Sequence, residues 1–303
     1  RNGAAQLYPQ RDEYESAPID TGLWKLDPVS CNFKLLQHAV SGVSYPSIDS
    51  FGRVIFTRWD HLQRDQQADA DQFEKGTSGT FNYDNEDQTA VPAVHSRMEF
   101  FPELRQRKYA SVDGESVPAG YPLAGHTFNQ FFPWMLNQDG SDEETVNHVG
   151  RHEIGGTYTD GSFVADKNLT YLTACDSSKQ YCLRGDSGIF HMREDPMHPG
   201  RYYGTVAPEF GTATSGDLVY LDGAPSTNPD SMKVIQIGES GDDDKHPEIG
   251  VGRMRNPLML SSGVLIAAHA PERGDENSLG ATSHYGFRLR MLTPGATAAT
   301  LGL

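Results

Sequence analysis

One hairpin-like block recurs along this chain and constrains its fold more than any other feature. The clearest copy is 45–60, in which a Pro-led extended run reaches a turn at 49–52 and leaves in a strand that alternates Val54, Phe56 and Arg58. Turn residues followed by β-branched and aromatic residues are typical of a β-hairpin. Weaker copies of the block occupy 207–222 and 256–269. Because a repeating hairpin indicates a repeat architecture, the sequence predicts an all-β fold built from similar units.

Further predicted strands follow these hairpins. Segments that alternate large apolar with polar side chains, as a strand with one covered face does, lie at 131–140, 188–193, 232–237 and 285–292. Pairing strands with hairpins gives four units of blade size, at 43–137, 155–194, 201–238 and 251–292. The predicted fold class is therefore a β-propeller of four-stranded blades, with about four blades recognisable out of a usual ring of roughly six or seven. The rings expected to pack between blades are those of Trp24, Phe56, Trp134, Tyr220 and Phe287.

Two segments fall outside the predicted blades. Residues 1–20 are polar and contain Pro9 and Pro18, so they are interpreted as an N-terminal arm, with 21–303 as one propeller domain. The first unit is too long for a single blade, which takes about 40–50 residues. Its excess, approximately 62–125, is rich in Asp, Gln, Gly and Ser and is interpreted as a long loop insertion.

Charge and hydropathy narrow the choice of partners. The net charge of the 303 residues is −16, and a nucleic-acid partner is disfavoured because phosphate binding needs a basic surface. No apolar run approaches the roughly 20 residues that cross a bilayer, so no membrane span is expected. An acidic surface can instead attract cations or a basic protein surface.

Several motifs resemble those of a known family. They are FTRWD at 56–60, NHVGRHE at 147–153, REDPMHPG at 193–200 and APEFG at 207–211. The block at 45–60 resembles the TolB-type propeller repeat, and the four motifs resemble hydrazine synthase alpha-subunit-related proteins of bacteria, over most of 22–292. That resemblance implies a secreted or periplasmic propeller that associates with a haem-containing redox subunit. The chain departs from those relatives in having no Cys-x-x-Cys-His motif, and hence no covalent haem attachment site of its own.

A candidate metal site lies within the second of these motifs. On a helix, the imidazoles of His148 and His152 would be one turn apart beside Glu153, and they could bind zinc or another divalent ion. On an extended strand the two histidines would be about 13 Å apart, which weakens a shared site. The alternative is that both histidines form loop hydrogen bonds and that Arg151 pairs with a carboxylate.

Two polar groups are candidate ligand-binding sites because loop residues at a propeller face line its central pocket. The first comprises Arg58, Asp60 and His61 with, after the insertion, His126. The alternative for this group is a salt bridge between blades that joins Arg58 and Asp60, with Trp59 packed between sheets.

The second group contains Arg193, Glu194 and Asp195, followed by a loop that Pro196 and Pro199 hold extended. The flanking histidines, His191 and His198, belong to the same group. Such a loop places side chains well, and it serves equally as a plain connection between blades.

The three cysteines leave one pairing open. Cys175 and Cys182 bracket a short polar stretch that a disulfide could close, with two reduced thiols as the alternative. Cys31 would remain unpaired in either case.

These features favour binding over catalysis for the chain alone, and no catalytic residue is assigned. The leading hypothesis is a secreted or periplasmic propeller that acts as a binding or scaffold module for a protein partner or redox subunit. A metal-dependent propeller lyase acting on acidic polysaccharides is the alternative enzyme, and it would need a local basic pocket for its anionic sugar. The third hypothesis is a structural subunit of an extracellular assembly, with contacts through the insertion at 62–125.

Overall fold

The computed structural model describes residues 22–38, 42–60, 111–112, 115–116, 130–146, 187–208, 211–227, 232, 234–240, 252–274 and 283–292. This part of the chain contains fifteen β-strands and no α-helix, which confirms the all-β prediction. No helix long and apolar enough to cross a bilayer occurs among these residues. The strands are β1 (Gly22–Leu26), β2 (Phe33–His38), β3 (Val43–Ile48), β4 (Arg53–Asp60), β5 (Ser111–Val112), β6 (Glu115–Ser116), β7 (Gln130–Asn137), β8 (Glu144–Thr145), β9 (Ser187–Glu194), β10 (Arg201–Pro208), β11 (Asp217–Asp222), β12 (Val234–Gly238), β13 (Arg253–Met259), β14 (Leu265–Ala270) and β15 (Arg288–Leu292).

Antiparallel pairing groups these strands into three larger sheets. The first sheet has the order β3-β4-β7-β8, the second β9-β10-β11-β12 and the third β13-β14-β15. Two hairpins, β1-β2 and β5-β6, form separate two-stranded sheets. Within each larger sheet, every strand pairs with the next strand of that same sheet along the chain, so each sheet is a meander. In the first sheet β4 pairs directly with β7, although 61–129 separates them in sequence.

The sheet boundaries differ from the predicted units in two places. Strand β9 pairs with β10, so 187–194 belongs to the same sheet as 201–238, and their assignment to separate units is wrong. The copy at 207–222 runs from the end of β10 through β11, whereas 45–60 and 256–269 are the first two strands of their sheets. The physical reason is that apolar alternation marks a strand with one covered face without marking its position in the sheet.

A short turn with a left-handed glycine closes several of the hairpins. In the β3–β4 turn the Asp49 carboxylate accepts the backbone N–H groups of Phe51 and Arg53 at 3.0 and 2.8 Å. Gly52 then donates to the Asp49 carbonyl at 3.1 Å with φ at +83°, a conformation that strongly favours glycine. In the β13–β14 turn Gly263, with φ at +79°, donates to the carbonyl of Leu260 in the same way.

The principal core lies between the first and second sheets. Its fully buried members include Ile55, Phe56, Phe132, Trp134, Leu136, Ile189, Tyr202, Val219 and Leu221. Burying each such large side chain contributes about 1.5–3 kcal/mol. The two sheets approach so closely at Gly188 that a Cβ placed there would lie 2.5 Å from the Cβ of Phe131. A smaller core joins the second sheet to the third through Tyr203, Leu218, Met254, Leu265, Ala267 and Leu292.

A buried ion pair of the first sheet, Arg53 with Asp49, also bonds to Tyr202 of the second sheet. Arg53 Nε donates to the Asp49 carboxylate at 2.8 Å, and Arg53 Nη2 donates to the Tyr202 hydroxyl at 2.7 Å. The Tyr202 hydroxyl in turn donates to Asp49 at 2.8 Å, and burial raises the pKa of Tyr202 above its ordinary value. The carbonyl of Gly223 accepts a further bond from Arg53 Nη2 at 3.2 Å. Each polar group in this contact therefore has a partner, as burial requires.

Candidate functional site

The first strand of each larger sheet contains a β-bulge. The pairing register shifts within 44–47 of β3, within 190–193 of β9 and within 255–258 of β13. A bulge places an extra residue in one strand, bends that strand and re-aims a side chain, and bulges are over-represented next to functional sites.

Each bulge holds one residue in the left-handed region of φ. These residues are Tyr45 at +58°, His191 at +60° and Asn256 at +52°. Residues other than glycine seldom adopt such values, and for a bulky aromatic residue the conformation costs free energy. Tyr45 and Asn256 each precede a proline, Pro46 and Pro257, whose missing N–H is compatible with an interrupted strand ladder.

These bulges come together because β9 contacts both β3 and β13. We call the resulting group the bulge cluster, and define it as Tyr45, His191, Arg193, Thr214, Arg255 and Asn256. His191 is buried with 1% of its surface exposed, Asn256 is exposed, and the other members are partly buried. The cluster therefore combines a buried imidazole with side chains that solvent reaches.

At the centre of the cluster, Tyr45 and Thr214 surround the imidazole of His191. The Tyr45 ring lies 4.1 Å from the imidazole, centroid to centroid, in an edge-to-face arrangement. Thr214 Oγ1 is 3.4 Å from His191 Nε2 and 3.5 Å from the Tyr45 hydroxyl. Nδ1 of His191 is buried without a hydrogen-bond partner among the described residues.

Two arginines belong to the same cluster. Arg193 Nη1 donates to the backbone carbonyls of Tyr45 and Met192 at 3.0 and 3.1 Å. Arg255 Nη1 donates to the Ala213 carbonyl at 2.6 Å, and its Nε donates to the side-chain oxygen of Asn256 at 2.8 Å. Backbone carbonyls thus fix both guanidinium groups without cancelling their charges.

The electrostatics follow from burial and from these two charges. Burial, then the charges of Arg255 and Arg193, lower the pKa of His191 from 6.5 to about 3, so its imidazole is neutral at neutral pH. Burial also lowers the pKa of Arg193. Burial thus disfavours the charged form of both side chains, and the two guanidinium charges add to that effect at His191.

Other arginines of the same fold do have carboxylate partners. Arg53 pairs with Asp49 at 2.8 Å, and Arg201 pairs with Asp222 at 2.7 Å. Within the described ranges, neither Arg193 nor Arg255 forms such an ion pair. The bulge cluster is therefore a local basic site on a chain whose net charge is −16.

Arg58, a predicted binding residue, lies inside the first sheet. Its guanidinium is buried, donates to the Glu143 carboxylate at 2.6 Å and lies 3.2 Å from the ring centroid of Trp134. Trp59 stacks on Phe131 of the neighbouring strand with ring centroids 5.2 Å apart. The carboxylate beside Arg58 is thus that of Glu143, which directly precedes β8. The side chain of Asp60, the expected partner, lies outside the described part of the chain.

Of the second predicted group, His191 and Arg193 belong to the bulge cluster. Glu194 accepts bonds from the backbone and hydroxyl of Ser50 at 2.6 and 2.9 Å, and from the backbone of Gly200 at 2.7 Å. Asp195 is buried and accepts a bond from the backbone of Met197 at 2.8 Å, and it lies 2.8 Å from His198 Nδ1. Glu194 thus joins the β9–β10 turn to the neighbouring β3–β4 turn, and Asp195 holds the β9–β10 turn in place.

Several predicted residues lie outside the described part of the chain. They are His61, His126, His148, Arg151, His152, Glu153, Cys175 and Cys182. The metal-site and disulfide hypotheses therefore stay predictions, as do the arm at 1–20 and the insertion at 62–125. Within the described ranges, no group of three or more His, Cys, Asp or Glu side chains is placed to hold a metal ion. Cys31 is an exposed free thiol.

Four members of the cluster, Tyr45, Thr214, Arg255 and Asn256, were not predicted from the sequence. A signal was present for two of them, because Tyr45 and Asn256 occupy the same place, directly before proline, at the start of two copies of the recurring block. Thr214 and Arg255 are brought to the cluster by packing of the second sheet against the third, which no local pattern encodes.

A separate groove of about 360 Å³ lies between the β1-β2 hairpin and the first sheet. Its lining is mainly apolar and includes Leu23, Leu26, Leu36, Ile48 and Val54. Because few polar groups converge there, it has less capacity to orient a ligand than the bulge cluster has.

Comparison with known proteins adds no relative to this description. No family model matches the chain, no curated protein matches it, and no solved structure matches its fold.

Proposed function

We propose that this chain is a β-propeller that acts as a secreted or periplasmic binding module, with the bulge cluster as its ligand-binding centre. The observation that carries the proposal is the convergence of three left-handed bulge residues, one from the first strand of each larger sheet. In a propeller the first strand of each blade lies next to the central axis, where binding propellers hold their ligands.

Support for the propeller arrangement comes from the order of the sheets. The first sheet packs on the second and the second on the third, each through its own apolar core. The isolated bridge between Gly216 and Met254 joins the second sheet to the third at 2.9 and 3.1 Å. Successive meanders that pack face to face in chain order are what radial blades require.

Support for binding comes from the contrast between a fixed framework and an accessible cluster. Buried contacts such as Arg53–Tyr202 hold the sheets together. In contrast, Arg193, Arg255 and Asn256 reach solvent. Side chains held by packing and by backbone carbonyls are preorganised, so little conformational entropy is lost when a ligand binds them.

The pKa of His191 favours binding over the lyase alternative. A general base works best when its pKa is near the working pH. An imidazole with a pKa of about 3 is neutral but accepts a proton poorly at neutral pH. His191 is therefore better suited to fix Tyr45 and Thr214 than to abstract a proton from a sugar.

The family resemblance favours a protein partner or a haem-bearing redox subunit as what the propeller binds. The motifs that carry this resemblance lie at 56–60, 147–153, 193–200 and 207–211. A carboxylate on such a partner, or on a small molecule that it delivers, is the kind of group that the cluster could hold.

The proposal is tested by calorimetric titration of the purified chain against a panel of neutral sugars, sugar acids, inorganic anions and a soluble c-type cytochrome. We expect one class to bind with one-to-one stoichiometry, and Tyr45→Ala to weaken that binding by about tenfold or more because the ring packs on His191. The matched control is Phe33→Ala, which removes an exposed ring on β2. Binding that Tyr45→Ala leaves unchanged, or no binding by any class, would refute the assignment.

A further inference from the structure

Resting on that proposed function, we propose that the bulge cluster is an oxyanion site, in which Arg193 and Arg255 together bind a carboxylate or phosphate group of the ligand. Arg193 Nη1 donates to the carbonyl of Tyr45, whose ring packs on His191. Arg255 Nη1 donates to the carbonyl of Ala213, which directly precedes Thr214. What the described cluster lacks is a negative charge.

Both arginines keep N–H donors that no described residue accepts. Both bonds of Arg193 to backbone carbonyls come from Nη1, so its Nε and Nη2 have no hydrogen-bond partner among the described residues. Nε and Nη2 form one edge of the planar guanidinium, and two parallel N–H groups on one edge match the two oxygens of a carboxylate or phosphate. Arg255 uses Nε and Nη1, which leaves Nη2 as a further donor.

The charge of the cluster favours an anion over a cation or a neutral ligand. Burying a positive group without a partner costs free energy, which an anion between the two arginines would offset. The lowered pKa of His191 agrees with this geometry, because the charges of Arg255 and Arg193 add to the effect of burial there. A divalent cation is disfavoured because none of the six members of the cluster is a carboxylate.

The neighbouring groups add selectivity for an anion carried on a polar molecule. Asn256 is exposed, and Thr214 and Tyr45 supply hydroxyls that accept or donate hydrogen bonds. These side chains surround the arginines with groups suited to hydroxyls rather than to apolar surface. A sugar acid or a sugar phosphate fits this set of donors better than a fatty acid does.

The test uses the full chain and three probes, namely inorganic phosphate, D-glucuronate and D-glucose. Glucose serves as the neutral counterpart of glucuronate, from which it differs at the carboxylate. We expect phosphate or glucuronate to bind saturably and glucose to bind at least about tenfold more weakly, which corresponds to loss of a charge-assisted contact. Whichever anion binds more tightly identifies the oxyanion as phosphate or carboxylate.

Three variants complete the test. Arg255→Gln and Arg193→Gln should each weaken anion binding by about tenfold or more. Arg193→Lys keeps the charge but loses the paired N–H edge, so its affinity for the anion should lie between those of wild type and Arg193→Gln. Arg288→Gln is the matched control, because it removes the same charge from an exposed position on β15. Circular dichroism confirms folding, and the partly exposed Arg255 position keeps the test valid if an Arg193 variant fails to fold.

The outcomes separate this inference from the proposed function. Glucose binding as tightly as glucuronate, sensitive to Tyr45→Ala and insensitive to both arginine variants, would overturn the oxyanion site and leave the binding module intact. Anion binding lowered equally by Arg288→Gln would overturn the site as well, since only net charge would matter. If none of the three probes binds at about 50 mM, a concentration far above the dissociation constant of a useful binding site, the oxyanion site is also overturned.

Discussion

The buried pair of Arg53 and Asp49 gives the sharpest stability prediction. Arg53→Ala removes the cation and leaves the Asp49 carboxylate, whose side chain is 1% exposed, without its charged partner. It also leaves the Gly223 carbonyl without the donor that reaches it at 3.2 Å. Removing one member of a buried ion pair typically costs about 3–5 kcal/mol. Against a total of about 5–15 kcal/mol, such a loss would be a large fraction of the stability.

The assay is urea unfolding followed by circular dichroism, with the free energy of unfolding extrapolated to water. Arg201→Ala is the control, because it breaks an Arg–Asp pair of similar length whose aspartate side chain is 56% exposed. Exposed pairs contribute about 0–1 kcal/mol, so this control should change stability little. A loss below about 1.5 kcal/mol for Arg53→Ala, or equal losses for both variants, would show that the buried contact does not join the sheets as argued.

Three further predictions concern the bulges and the sheet contacts. The free energy of unfolding should fall by a few kcal/mol as the pH drops from 6.5 toward 3, because His191 is protonated in the unfolded state but not in the folded state, where its pKa is about 3. His191→Asn should flatten this part of the profile of stability against pH, and an unchanged slope in that variant would contradict the prediction. Gly188→Ala should lower the free energy of unfolding by about 1–3 kcal/mol, since the added Cβ would lie 2.5 Å from the Cβ of Phe131. Gly286→Ala should lower it less in the same urea unfolding experiment, because the added Cβ would meet only the flexible carboxylate of Glu272 at 3.2 Å. Asn256→Val should lower the melting temperature because of its positive φ, whereas Asn256→Gly should not; equal effects would argue against the left-handed bulge.

Strand content could be predicted from the sequence because it depends on local patterns. The turn at Asp49 and Gly52 carries residues that close a hairpin by themselves, and the alternation in 131–140 and 188–193 marks strands that the structure contains. Phe56 and Trp134, expected between sheets, are 1% and 0% exposed. The other rings expected there, those of Trp24, Tyr220 and Phe287, are only partly buried.

Membership of a sheet and composition of the site could not be predicted in the same way. Whether 187–194 pairs with 201–208 depends on which edges meet, and strands of similar pattern satisfy either choice. Likewise, Arg193 was selected for its polar neighbours, but its contact with the Tyr45 carbonyl joins residues 148 positions apart. The cluster arises from three bulges and from sheet packing, and only the X-Pro pairs at two bulges leave a trace in the sequence.

The most direct test of the oxyanion site is anomalous diffraction from crystals of the chain soaked in selenate, a tetrahedral oxyanion that contains a strong anomalous scatterer. A selenium peak within about 4–5 Å of the guanidinium carbons of both Arg193 and Arg255, lost in Arg255→Gln crystals, is the expected result, since N–H···O bonds hold the oxyanion at about 2.7–3.2 Å. The contradicting result is a crystal in which selenate occupies positions beside other arginines but shows no peak between Arg193 and Arg255.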